Sequence, residues 1–190
     1  MIRIGATFLL LALCLANPAR AATVSGVTLP DVYPVGGQNL RLNGIGLRTL
    51  TIFEIRIYVA GLYTAVPSHD ARTILSASTP KVLLLQYLHE GSKSQVEEEY
   101  RKGERENCGH GECPQSDNAD FERLIAAAPA VKVGDTTTYI ATSRGLRVLA
   151  NNRQIIEIDN PGLANRIIEG FIGAHPPSTD LRAALLGIAN

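Results

Sequence analysis

The sequence lacks several features that would assign it to a familiar class of protein. Its 18 lysines and arginines balance its 18 aspartates and glutamates, so no basic excess indicates a nucleic-acid partner and no acidic run indicates a solvating tail. It contains no internal repeat and no low-complexity tract. With 190 residues, of which 45% are apolar, the chain has the size and composition of one globular domain with a proper core.

The N-terminal segment has the pattern of a secretory signal peptide. Arg3 supplies a positive start, residues 6–16 form an apolar stretch, and Ala19-Arg20-Ala21 is a small-x-small cleavage site. The apolar stretch is too short for a membrane anchor, which needs about 20 residues. We therefore predict a signal peptide over residues 1–21 and a single domain over residues 22–190. No later apolar run could span a bilayer, so we expect an exported, periplasmic protein.

Strand-like and helix-like segments do not alternate regularly along the chain, which argues against a doubly wound parallel sheet. Strands are predicted over 23–29, 39–42, 48–65 and 81–90, and a hairpin over 136–143 and 146–158 with Arg144-Gly145 at its turn. Helices are predicted over 70–77, 93–107, 120–128, 162–173 and 179–188. The order favours an α+β fold, a largely antiparallel sheet with helices packed on one face. Such a fold can leave an apolar cleft between its layers.

The run from Leu42 to Tyr63 is the most informative part of the sequence. A glycine turn leads into a long β-branched and aromatic stretch, with Arg48 at its start and Tyr58 near its end. An arginine in an apolar strand is costly unless something pairs with it, so this run is a candidate ligand site. Ten residues of unbroken strand would separate the two side chains by about 33 Å. They can meet only if the chain reverses near residues 51–54, where no glycine or proline marks a turn.

Two of the three cysteines, Cys108 and Cys113, lie beyond the predicted signal peptide. In an oxidising compartment a disulfide is the first interpretation. The alternatives are free thiols and a metal site that adds His110. The three residues of such a metal site would leave tetrahedral coordination one ligand short. We expect no metal and no cofactor. A disulfide here would close a short loop behind the helix predicted over 93–107.

Four segments resemble the chalcone isomerase-like family, and especially its bacterial exported branch. They are NGIGLRTLTIF and YVAGLY in the Leu42–Tyr63 run, EYRKGERENC ending at Cys108, and IIEGFIGAHPPSTDLRAALLG near the C-terminus. The resemblance covers most of the chain in order. It implies an open-faced β-sandwich with helices over one face and a ligand cleft between them, and it implies the reversal that would bring Tyr58 to Arg48.

The resemblance also implies roles for individual residues. In the plant enzymes of the family, which close a flavonoid ring, an arginine after the first glycine motif guides the phenolate, and Arg48 matches it. Tyr58 stands where those enzymes have a threonine. Tyr100 and Asn107 match a tyrosine and an asparagine that line the cleft. Gly170 stands near a threonine or serine that sets substrate choice.

These matches lead to two functional hypotheses. Related plastid proteins of this fold bind fatty acids with an arginine and a tyrosine on the carboxylate, and Arg48 with Tyr58 resembles that arrangement. We therefore predict a binding protein for a small apolar ligand with an anionic head, whose tail lies along the 81–90 strand and the 162–173 helix. The alternative is an isomerase of the intramolecular lyase type, acting on a chalcone-like phenolic enone through Arg48, Tyr100 and Asn107.

Overall fold

The computed structural model describes residues 21–50, 54–109 and 113–188. The predicted signal peptide, apart from Ala21, lies outside this part of the chain, as does His110. No helix among the described residues is long and apolar enough to cross a membrane.

The strands and helices follow one another in the predicted order, with nine strands where the sequence indicated six. The strands are β1 (Ala22–Val24), β2 (Val27–Leu29), β3 (Val32–Val35), β4 (Gln38–Leu50), β5 (Ile55–Thr64), β6 (Lys81–Tyr87), β7 (Thr136–Ala141), β8 (Leu146–Ala150) and β9 (Arg153–Ile158). The helices are α1 (Ala71–Ser76), α2 (Lys93–Cys108), α3 (Asn118–Ala127), α4 (Pro161–Ile172) and α5 (Thr179–Leu185).

Strands β3 to β9 form one antiparallel sheet in sequence order, and β1 and β2 form a separate hairpin. Because side chains alternate along a strand, the sheet has two distinct faces. One face carries Ala60, Leu62, Leu83 and Leu85 and packs against α4 and α5. We call it the helix face. The fold is therefore α+β, with an antiparallel sheet and helices over one face, as predicted.

The opposite face of the sheet carries a smaller apolar layer. Tyr63, Val82 and Ile140 are buried there with Leu40, and the β1–β2 hairpin covers Val59 with Val27 and Leu29. The prediction of one strand over residues 23–29 was wrong in this detail. Ser25 and Gly26 both have positive φ, so the chain turns between two short paired strands.

Helix α5 can lie directly on β4 because β4 carries glycine where the two elements cross. A Cβ at Gly44 would overlap the carbonyl oxygens of Ala184 and Leu185, and a Cβ at Gly46 would lie 2.6 Å from the Ala184 Cβ. The bulge residue Asn43, which precedes Gly44, donates from Nδ2 to the Leu185 carbonyl oxygen at 2.8 Å. The glycines quoted for the resemblance therefore place α5 against the helix face.

Side-chain caps define the starts of α1 and α2 within one residue of the predicted positions. Asp70 accepts hydrogen bonds from the backbone N–H groups of Arg72 and Thr73 and begins α1. Ser92 and Gln95 form a capping box at the start of α2. The predicted bounds of α1 and α2 therefore agree with the structure to within one residue.

The predicted strand over residues 146–158 is in fact a second hairpin. Strands β8 and β9 pair across Asn151 and Asn152, whose φ angles are 49° and 62°. Asparagine adopts this left-handed conformation more readily than most residues. The Asn-Asn pair was therefore a turn signal inside a run that otherwise alternates like a strand.

Candidate functional site on the helix face

The structure brings Arg48 and Tyr58 together as direct cross-strand partners. Strands β4 and β5 pair from Leu50↔Ile55 to Arg41↔Thr64, with Arg48 opposite Tyr58. The chain therefore reverses between residues 50 and 55, and the unmarked reversal is confirmed, although residues 51–53 lie outside the described residues. Directly opposed residues of an antiparallel pair share a face, and Tyr58 packs against the helix-face core.

A β-bulge separates this pair from the end of the hairpin. The register shifts between Arg48 and Thr49, which pairs with Arg56, so Ile57 is an extra residue in β5. Arg56 shares the face of Thr49, opposite to that of Arg48, and it is exposed. Two arginines near the same turn thus lie on different faces of the sheet.

Arg48 has no carboxylate partner within ion-pair distance in the part of the chain that the structure describes. The side chain is partly buried, and Nη1 donates to the Thr49 carbonyl oxygen at 2.5 Å. Most of its donors are therefore available to another group. A guanidinium presents a planar fork of donors that suits a carboxylate or a phenolate.

Tyr58 keeps its hydroxyl proton beside that cation. Burial raises the pKa of Tyr58 strongly, and the positive charge of Arg48 opposes the shift only in part. The side chain is thus a neutral donor at physiological pH. Its ring meets Tyr87 edge to face, with the ring centroids 6.1 Å apart.

Behind Tyr58 the aromatic rings continue across the sheet. Tyr139 of β7 and Tyr100 of α2 place their hydroxyl oxygens 2.6 Å apart. The Tyr139 ring also meets Phe171 of α4 at 6.4 Å. Burial raises the pKa of both of these tyrosines above the ordinary value of 10.0. The result is an aromatic layer between sheet and helices with neutral hydroxyls along it.

Tyr87, Tyr139 and Phe171 were not among the predicted site residues. Tyr87 could have been found from the period of its strand, since it follows Leu85 by two residues and Leu83 by four and so shares the helix face with them. Tyr139 pairs with Leu83 across β6 and β7. The sequence therefore contained a pattern that indicated these two tyrosines. Using that pattern required knowledge of the order of the strands in the sheet.

Tyr100 and Asn107 both lie on α2, but their hydrogen bonds go to different places. Tyr100 bonds to Tyr139. Asn107 donates from Nδ2 to the Gly103 carbonyl oxygen at 2.9 Å and to the His175 carbonyl oxygen at 3.2 Å. Asn107 therefore connects the end of α2 to the segment after α4. No side-chain hydrogen bond among the described residues joins either of them to Arg48 or Tyr58.

Gly170, at the position where the enzymes have a threonine or serine, lies in the last turns of α4. A Cβ built there would meet no other atom within 4 Å. Its neighbour Phe171 instead reaches the aromatic layer through Tyr139. This part of the helix therefore contributes an aromatic ring rather than a hydroxyl.

The residues expected to hold an apolar tail are already packed against one another. Leu83 and Leu85 of β6 and Leu163 and Ile168 of α4 belong to one buried cluster. A cavity of about 170 Å³ does open on the protein, but beside Lys81 at the other end of β6. Neither Arg48 nor Tyr58 lines it.

Cys108, the last residue of α2, forms a disulfide with Cys113, with the two sulfurs 2.03 Å apart. Both sulfurs are bonded, so neither is free to act as a thiolate ligand. This confirms the disulfide among the alternatives for the pair. It fixes the end of α2 next to the chain that leads into α3.

Comparison with known proteins agrees with this architecture. The sequence profile described as chalcone isomerase-like matches residues 21–187. The chain therefore belongs to the chalcone isomerase-like family. No curated protein sequence matches it.

Among solved structures, the chain is similar to the Arabidopsis thaliana fatty-acid binding protein AtFAP1. The TM-score is 0.70 with 14% sequence identity, over 88% of this chain and 96% of that one. At this identity the likeness establishes the shared fold.

Proposed function

We propose that this protein is exported to the periplasm and binds a small apolar molecule with an anionic head, most simply a fatty acid. The observation that carries the proposal is the Arg48–Tyr58 pair. It combines a guanidinium that has no carboxylate partner among the described residues with a neutral phenol on the same sheet face.

The head group follows from the chemistry of that pair. A carboxylate can accept two parallel hydrogen bonds from a guanidinium and a third from a phenol. Tyr58 suits this role because its raised pKa keeps it protonated, whereas an ionised phenolate would repel the ligand. The name of the similar Arabidopsis protein, a fatty-acid binding protein, supports the same ligand class.

The tail would lie between the aromatic layer and the helices. The ring of Tyr87 meets that of Tyr58, and the rings of Tyr139 and Phe171 meet each other further along the layer. Aromatic surface of this kind favours a bound hydrocarbon. The core there is packed, so a long tail requires α2 to move outward. The periplasmic location is supported by the signal-peptide pattern before Ala21.

Native mass spectrometry and titration test this proposal. The protein is purified from its native compartment without detergent, and a retained fatty acid appears as added mass. The stripped protein is then titrated with dodecanoate by calorimetry. We expect Arg48→Ala to weaken binding at least ten-fold, about 1.4 kcal/mol, and Tyr58→Phe to weaken it less, because one neutral donor is lost.

Arg56→Ala is the matched control, since it removes the same charge from the opposite face near the same turn. Dodecanoate affinity should change less than two-fold. Equal losses in Arg48→Ala and Arg56→Ala would show that only overall charge matters. A protein that carries no ligand and takes up no fatty acid would refute the proposal.

The isomerase alternative is tested with the same preparation. It requires Tyr100 and Asn107 to act with Arg48, whereas their side-chain hydrogen bonds go to Tyr139 and to backbone carbonyls. Incubation with a chalcone should therefore give no turnover above the uncatalysed rate. Turnover that falls at least ten-fold in Arg48→Ala would favour the enzyme instead.

A further inference from the structure

Lys81 is a buried cation whose hydrogen-bond acceptors are both uncharged. It is the first residue of β6 and pairs with Thr64 on one side and Ala141 on the other. Only 6% of the residue is exposed. Its Nζ donates to the Ala77 carbonyl oxygen at 2.7 Å and to Asn165 Oδ1 at 3.4 Å.

No carboxylate in the described part of the chain lies within ion-pair distance of Lys81. A buried charge without an opposite charge is costly, and burial accordingly lowers the pKa of Lys81. Two neutral acceptors reduce this cost but leave the positive charge uncompensated. They also leave one of the three ammonium protons available to another acceptor.

A cavity reaches the same lysine. Its volume is about 170 Å³, whereas a water molecule in the liquid occupies about 30 Å³. The space is therefore sufficient for a compact oxyanion with some water. It is small for a fatty acid, although Leu75, Ala77, Ala141 and Pro161 add apolar groups to its wall.

The other lining groups also favour an anion. Hydroxyl groups come from Ser78, Thr79 and Ser143, and the N-terminal turn of α4 reaches the cavity at Pro161. The positive end of a helix dipole attracts negative charge. Asn165 Oδ1 accepts a hydrogen bond from Lys81, so the NH₂ group of Asn165 remains a donor. None of the residues that line the cavity is an aspartate or glutamate.

We propose that this cavity binds a compact oxyanion, a carboxylate or a phosphate group, on the Lys81 ammonium. The ligand would accept the remaining ammonium proton, and the hydroxyls and the Asn165 amide would donate to its other oxygens. The site is separate from the Arg48–Tyr58 pair. Tyr87, which adjoins that pair, is six residues along β6 from Lys81, about 20 Å of strand.

An NMR titration tests the proposal on the mature, disulfide-bonded protein. Inorganic phosphate and acetate are added in separate experiments at constant ionic strength, with amide shifts followed for residues 77–81, 142–145 and 162–165. We expect saturable shifts centred on these residues for at least one of the two anions. The two series distinguish a phosphate from a carboxylate ligand.

Two variants remove the site in different ways. Lys81→Met deletes the charge and should abolish the shifts. Asn165→Asp keeps the lysine but places a carboxylate where Oδ1 now lies, 3.4 Å from Nζ. That internal carboxylate should compete with the anion and weaken binding at least ten-fold. Because it adds a partner for Lys81, the variant remains informative if Lys81→Met fails to fold.

Lys102→Met is the control, since Lys102 is an exposed lysine of α2 and its loss changes the net charge equally. It should leave the titration unchanged. A site with a Kd of about 1 mM would be almost saturated at an anion concentration of about 50 mM. The proposal is overturned if neither anion gives saturable shifts at these residues up to that concentration. It is also overturned if binding persists in Asn165→Asp.

Discussion

Arg48 and Lys81 lie toward opposite ends of the same sheet face, and they differ in burial and in the groups that surround them. Arg48 is partly exposed and borders Tyr58 and an aromatic layer. Lys81 is almost completely buried and borders hydroxyl groups and an open cavity. The first environment suits an anion attached to a hydrocarbon, and the second suits a compact anion without a tail.

The comparison shows that a cation alone does not define a ligand. Both side chains lack a carboxylate partner among the described residues, so each could attract an anion. The neighbouring surface then decides which anion fits, since rings favour apolar contact and hydroxyls favour hydrogen bonds to oxygen. The two sites should therefore respond separately to mutation.

The largest expected effect is on the packing of α5 against β4, which covers the sheet between the two cations. Gly44→Val would place a side chain against the backbone of α5 at Ala184 and Leu185, and we expect a loss of roughly 3 kcal/mol in the free energy of unfolding. Urea denaturation measures it. Gly103→Ala, in open space on α2, should instead stabilise the protein by about 0.5–1 kcal/mol.

A Gly44→Val protein that unfolds at the wild-type urea concentration would show that α5 is not held against β4. If the variant folds and keeps full dodecanoate affinity, α5 has no part in shaping the Arg48 end.

The second effect is the response of the aromatic layer to alkaline pH. Burial raises the pKa of Tyr100 above its ordinary value of 10.0, so above pH 10 the unfolded state loses a proton that the folded state keeps. Stability therefore falls with rising pH, by at most about 1.4 kcal/mol per pH unit for each such tyrosine. Tyr100→Phe should show a shallower fall in urea denaturation between pH 10 and 11.

The same variant measured at pH 7 serves as its own reference. The difference from wild type there reports the lost hydrogen bond to Tyr139, and only the change in that difference with pH reports ionisation. Parallel curves above pH 10 would show that Tyr100 ionises equally in the folded and unfolded states.

The smallest expected effect is the contribution of Lys81 to the pH dependence of stability. Its sign is opposite to that of the Tyr100 contribution. Burial lowers the pKa of Lys81 below 10.5, so the unfolded state holds a proton that the folded lysine gives up as the pH approaches 10.5. The contribution of Lys81 to the free energy of unfolding therefore rises as the pH approaches 10.5. The melting temperature of wild type minus that of Lys81→Met should increase from pH 7 to pH 10.

Added phosphate should reduce that increase, because a bound anion favours the charged lysine. A difference that stays constant or decreases with pH, without anion, would mean that Lys81 is not destabilised by burial.

The sequence predicted the parts of the fold that depend on local chemistry. Asp70 and Ser92 mark helix starts because their side chains satisfy nearby backbone N–H groups. The reversal after Leu50 has no such marker, and only the family resemblance implied it. The Asn151-Asn152 turn was overlooked because the residues around it keep the alternation of a strand.

The residues of the candidate sites can likewise be divided into those that the sequence indicated and those that it did not. Arg48 was identified because an arginine stands out in an apolar run, and Tyr58 was identified through the family resemblance. The partners of Lys81 could not be identified, since Ala77 and Asn165 reach it from α1's end and from α4. Contacts of this kind depend on how separate elements pack against each other, and no local sequence pattern predicts them.

Helix α2 has no fully buried residue, unlike α4, which buries Leu163, Ala164, Ile168 and Ile172. Local opening has a low free-energy cost where few apolar contacts are lost. The capping box at Ser92 and the disulfide at Cys108 would keep the helix intact while it separates from the sheet. A hydrocarbon chain could then reach the aromatic layer through a transient gap, while the strands and α4 remain folded.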